Sequence, residues 1–223
     1  MLYINKFIAY YFRSKFVDPS ASRFLTLPKF EPHSKILTPQ LFTLLWMNTE
    51  ALQNVEQLDL LYSMATKGTS FNRLSTAIAD YDGPTLVVIL HKDKEPKADD
   101  EGNDPSVCIM GAYMNTVWKD AVDYQGDNKT FLFSLLPKYK QFHTSKGKGG
   151  ETYAYLNSRE IATSTSKPGF GFGGTGPGNF RIWVDGDIDN ESYTQPNDLT
   201  FEEGYLAAPE VTKLNVYDKY FFF

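Results

Sequence analysis

A chain of 223 residues with 22 basic and 27 acidic side chains has a formal net charge of −5, so its overall field favours neither nucleic acid nor an anionic membrane. Its single cysteine excludes an intrachain disulfide framework and any multi-cysteine zinc or iron–sulfur centre. An aromatic share of 15%, with 16 glycines and 12 prolines, leans toward strands joined by tight turns.

The chain opens on MLYINKFIAYYFRSKF, with Lys6, Arg13 and Lys15 and no acid before Asp18. Asn5 and Lys6 interrupt its apolar run, which makes it a poor signal peptide. Its basic, aromatic character matches a mitochondrial presequence, apart from a shortage of serine. The simpler reading is an arm packed on the body. Pro19, Pro28 and Pro32 mark residues 18–37 as a connector, spaced too closely for a helix or a central strand. Thr38-Pro39 supplies an N-cap and a first-turn proline, and leucines at 41, 44, 45 and 52 predict an amphipathic helix over 39–54. After the apolar run 60–65 and a turn at 67–69, Ser70 is placed to cap a second helix with Phe71, Leu74 and Ile78 on one face. Asp82-Gly83-Pro84 ends it, and TLVVILH at 85–91 reads as a buried strand.

Residues 92–105 hold six acids, three lysines and no large apolar side chain, so they form a solvated loop. Strands are predicted at 106–113, with Gly111 inside, and at 130–135, 152–156, 180–185 and 213–221. No stretch approaches the ~20 apolar residues of a bilayer-spanning helix. The pattern is α+β: a β-sandwich of antiparallel strands flanked by short helices, with residues 1–35 as arm and connector and 36–223 as one domain.

Motifs for chemistry are weak. The glycine-rich segment 168–178 fits G-x-G-x-x-G twice, but a strand follows it where a dinucleotide site needs a helix. It reads as a structural loop. Asp185, Asp187 and Asp189 alternate like the first ligands of a calcium loop, yet Asn190 and Pro196 stand where its glycine and glutamate belong. An acidic turn closed by local hydrogen bonds is the better reading. The seven acids from Asp185 to Glu203 include no base among them, a face suited to a basic partner. His33, His91 and His143 lack metal-ligand spacing. Cys108 would need a neighbouring base to act as a nucleophile. Lys138, Lys140, Lys146 and Lys148 sit among Tyr139 and Phe142, but a solvated basic loop accounts for them without nucleic acid. These residues predict no catalytic residue, no cofactor and no metal.

The order of the pieces resembles the TLDc domain family. LLYS at 60–63 and KGTSFNRL at 67–74 look like its opening strand, glycine turn and capped helix. GPTLVVI at 83–89, MGAY at 110–113 and FLFSL at 131–135 are similar to its following strands. The glycine run leading into FRIWVDGDID at 180–189 resembles its next strand and acidic turn, and VTKLNVY at 211–217 its closing strand. The loop 92–105 is longer than the family's turn, and the family's Thr-Phe stretch is faint, as Leu199-Thr200-Phe201. The resemblance implies a helix-decorated sandwich without an established catalytic centre, linked to oxidative-stress resistance. It also implies docking on the peripheral, ATP-hydrolysing sector of a vacuolar-type proton pump, modulating its assembly or activity. Gly68, Ser70, Gly111 and Gly174 are then the partner-binding candidates. The implied location is intracellular, in the cytoplasm or on the cytoplasmic face of an acidic organelle, and the basic arm leaves mitochondria open. Two other readings remain: an accessory subunit of a mitochondrial or ciliary assembly, and a thiol-dependent or hydrolytic enzyme using Cys108 or the acidic turn.

Overall fold

A computed structural model describes residues 29–31, 36–53, 55–92, 107–145, 152–159, 167–174, 179–187, 191–207, 213–214 and 216–222, with backbone alone at 30, 31 and 216–222. Residues 1–28, the whole acidic loop after residue 92, and His33, Lys146, Lys148 and Asp189 lie outside the described residues.

Two sheets face each other. Numbered in chain order, the seven-stranded sheet runs β1 (Lys29–Glu31), β2 (Gln57–Ser63), β12 (Val216–Phe222), β3 (Thr85–Lys92), β4 (Val107–Met114), β6 (Phe131–Leu136) and β7 (Lys140–Phe142). The five-stranded sheet runs β11 (Tyr193–Thr194), β10 (Ile182–Asp185), β9 (Gly169–Phe172), β8 (Ala154–Asn157) and β5 (Ala121–Gln125). All described pairings are antiparallel except β1 with β2. The α+β sandwich expected from the sequence is what forms. Strand β12 is inserted between β2 and β3, so the first sheet is complete only when β12 is in place.

Strand alternation sorts the core into layers. Val87 and Ile89 of β3, Cys108, Met110 and Ala112 of β4, and Phe170 and Phe172 of β9 meet between the sheets. On the opposite face of the first sheet, Leu86, Val88, Phe131 and Phe133 pack under Phe42, Leu45 and Trp46. Burying each such side chain contributes about 1.5–3 kcal/mol. A smaller aromatic layer of Tyr155, Phe180 and Trp183 covers the outer face of the second sheet. Among the described residues no helix is long and apolar enough to cross a membrane.

The first helix, α1 (Pro39–Asn48), starts as the sequence predicts: Leu41 N–H donates to Thr38 Oγ1 at 3.3 Å, and proline fills the first turn. It does not run on to residue 54. Thr49 is extended, and its hydroxyl accepts from Gln141 Nε2 of β7 at 2.8 Å. This tie to the sheet separates α1 from the short α2 (Glu50–Gln53).

The glycine-rich segment is only in part a loop. Gly169–Phe172 is a strand with its phenylalanines in the core and its glycines facing outward. A Cβ at Gly171 would lie 2.8 Å from the Phe180 ring, and one at Gly169 would meet the Trp183 ring. The outward positions are glycine because aromatic rings already cover them.

Candidate functional site

After β2 the chain makes one helical turn, α3 (Met64–Lys67), and reverses through Gly68, whose φ of +78° suits glycine. The hydroxyl of fully buried Tyr62 donates to the Gly68 carbonyl and reaches the Ser70 carbonyl at 3.4 Å. That clamp sets the exposed start of α4 (Phe71–Ala79), whose Phe71, Leu74 and Ile78 are buried. Ser70 occupies the N-cap position, but its side chain makes no capping bond. The expected cap is therefore absent. Its carbonyl accepts from Leu74 N–H at 3.2 Å, while the exposed side chain is left to solvent.

Across from Ser70 lies the acidic turn that follows β10. The Asp187 N–H donates to Asp185 Oδ1 at 2.8 Å, and the Asp185 N–H to Ser192 Oγ at 3.1 Å. Gly186 N–H donates to the Pro168 carbonyl at 2.9 Å, and a Cβ at Gly186 would sit 2.9 Å from Pro168 Cβ. The turn thus lies flat against the entry to β9. Between it and α4 runs an open groove of about 710 Å³, lined by Ser70, Phe71 and Asn72 on one side and Asp185 to Asp187 on the other. Ser158, anchored by Asp120 through its N–H at 2.7 Å, also lines it. So do Lys167 and Glu191, which form an ion pair. The hydrogen bond and charge of Glu191 raise the Lys167 pKa, and those of Lys167 lower that of Glu191. Both are well exposed, and solvent screens the pair.

The other two family positions lie inside. Gly111 is in the middle of β4, where a Cβ would collide with the Val87 carbonyl and come within 2.7 Å of Phe133 Cζ. Gly174 has a φ of +106°, and a Cβ there would collide with the Asn179 carbonyl. Ser70 and the acidic turn therefore share one groove with Gly68 just behind, whereas Gly111 and Gly174 are buried elsewhere.

The remaining candidates are similarly placed. Cys108 is fully buried, and β-pairing sets it opposite His91, which is also fully buried. A base does stand beside the thiol, but both are sealed within the sandwich. Among the described residues no group of three His, Cys, Asp or Glu side chains is arranged to hold a metal ion. Lys140 donates to the Glu203 carbonyl at 3.1 Å and lies 4.6 Å from the centre of the Phe142 ring, so it is tied into the fold.

The interaction that sequence reasoning missed is a buried ion pair. Arg181, fully buried, donates to Asp198 Oδ2 at 3.3 Å, and Asp198 has only 1% of its side chain exposed. Burial lowers the Arg181 pKa, and the Asp198 carboxylate opposes that shift. Asp198 therefore leaves the acidic face that the charge run implied. The signal was present: Arg181 is a lone charge inside the apolar run FRIWV.

The sequence profile of the TLDc domain matches residues 30–218. MTOR-associated protein MEAK7 of Danio rerio is 30% identical over 157 residues, covering 70% of this chain and 30% of the relative. The Homo sapiens MTOR-associated protein MEAK7 is 30% identical over 153 residues, covering 68% and 29%. Nuclear receptor coactivator 7 of Mus musculus is 29% identical over 177 residues, covering 78% and 16%. The chain thus spans less than a third of each of these relatives.

Proposed function

The chain belongs to the TLDc domain family, and from that premise we propose that it is a non-enzymatic protein-interaction module that docks on a large complex. The observation that carries this reading is the groove, which joins a family motif (the Gly68–Ser70 turn) to the acidic turn on an exposed face. The names of the relatives accord with it: one is named for association with MTOR, the other as a coactivator of nuclear receptors. The partner we propose is the peripheral sector of a vacuolar-type proton-pumping ATPase, on the cytoplasmic face of an acidic organelle. There the chain modulates assembly or activity of the pump and so supports resistance to oxidative stress. Ser70 and Gly68 belong to the contact itself, while Gly111 and Gly174 support it through the fold.

Native purification of the tagged chain tests this. Peripheral pump subunits should co-purify at low and moderate salt, and recovery falls when Ser70 is replaced by lysine. Clean recovery without those subunits at both salt levels would refute the reading.

A further inference from the structure

A second groove, of about 600 Å³, forms where the end of α3 meets α4, lined by Thr66, Lys67, Asn72, Arg73, Thr76 and Ala77. Asn72 also lines the groove beside the acidic turn, so the two adjoin. Arg73, Thr76 and Ala77 share one face of α4 by their three- and four-residue spacing. The Lys67 ammonium donates to the Leu61 carbonyl at 2.6 Å, and Arg73 Nη1 to the Lys67 carbonyl at 3.4 Å. The Arg73 side chain therefore folds back toward Lys67. Beyond it along α4 stand the exposed Thr76 and the half-buried Ala77, small enough to let another chain come close.

Both charges lack a counter-charge. Lys67 and Arg73 are exposed and bonded to neutral carbonyls, which leaves each with further N–H donors. Among the described residues no carboxylate pairs with either, and no acid lines the groove. The acids of this region are placed elsewhere. Asp80 lines a different cavity, with Asp120 and Arg159. Asp59 and Asp82 lie around Tyr81, whose pKa they raise in addition to the larger effect of burial.

We infer that this groove docks an acidic, amphipathic segment of a partner protein, with its carboxylates on Lys67 and Arg73 and its apolar side chains over Thr76 and Ala77. The two cations set the sign of the partner. They are too few, in a chain of net charge −5, to hold nucleic acid or an anionic membrane. The inference goes beyond docking on the pump, and its test contains no pump subunit.

The probe is a fluorescent synthetic helix with glutamate on one face and leucine on the other, followed by anisotropy on the full chain. Because the overall charge of the chain repels it, binding reports a local site. The peptide should bind, and less tightly as salt rises. Lys67→Gln with Arg73→Gln should weaken binding at least about fivefold and flatten its salt dependence. Thr76→Glu, which sets a carboxylate in the groove, should also weaken it. Lys29→Gln with Lys129→Gln, an equal change in net charge at exposed positions outside the groove, should leave it unchanged. Lys67→Glu with Arg73→Glu should abolish it and make the chain bind a lysine–leucine helix more tightly than the parent does. The inference is overturned if the glutamate peptide fails to bind, if the Lys67 and Arg73 variants bind it like the parent, or if the Lys29 and Lys129 variant loses as much.

Discussion

Gly111 and Gly68 both come from family motifs but answer to different constraints. At Gly111 the backbone is ordinary strand, and the space for a side chain is already taken by the Val87 carbonyl and the Phe133 ring. At Gly68 there is no heavy atom within 4 Å of an added Cβ, and the constraint is the φ of +78°. One glycine serves packing between strands and the other serves a turn that faces solvent. A motif residue in a family of this kind is thus not by itself a contact residue. Burial decides which are candidates for a partner.

The largest effect should come from Gly111→Val. With no room to relax against a backbone carbonyl, it should lower stability by about 5 kcal/mol or more, read from the urea midpoint. Arg181→Met should follow, losing about 3–5 kcal/mol because it strands the buried Asp198 carboxylate. Adding Asp198→Asn, which removes the stranded charge but keeps a side-chain oxygen for the Thr200 and Phe201 N–H groups, should recover most of that loss in a double-mutant cycle. Full loss in the double variant would mean that the two side chains act through separate contacts. Gly68→Ala should cost about 1–3 kcal/mol through backbone strain alone, leaving near-UV circular dichroism unchanged. A cost equal to that of Gly111→Val would erase the distinction between the two glycines. Ser70→Ala should change stability by less than about 0.5 kcal/mol, because its side chain caps nothing. Smallest of all, Glu191→Gln should leave Tm unmoved, its partner Lys167 being screened by solvent.

Much of this architecture was legible beforehand, for physical reasons. Strands β3, β4, β6 and β10 announce themselves as β-branched or aromatic runs. Phe71, Leu74 and Ile78 mark the buried face of α4 by their spacing. The strand Gly169–Phe172 was misread because glycine signals a turn by composition, although Gly-Phe-Gly-Phe has the two-residue period of a strand. Only the rings of Phe180 and Trp183, from the neighbouring chain segment and strand, explain why its outward positions are bare. The break at Thr49 depends on Gln141, far along the chain, and no local pattern reveals it. The site was half legible. Ser70 and the acidic turn could each be named from sequence, but their meeting across one groove is set by how the sheets stack. Thr200 and Phe201, the faint remnant of a family motif, turn out to be the buried anchors of their segment.

Crosslinking mass spectrometry on native extract tests the docking reading most directly, because the exposed Lys67 adjoins the Gly68–Ser70 turn in the chain and the exposed Lys167 lines the groove. The account predicts that both lysines crosslink to one peripheral subunit of the proton pump, and that these links fade when Ser70 is replaced by lysine. Links to pump subunits that arise only from lysines elsewhere on the chain, with Lys67 and Lys167 unlinked, would contradict it.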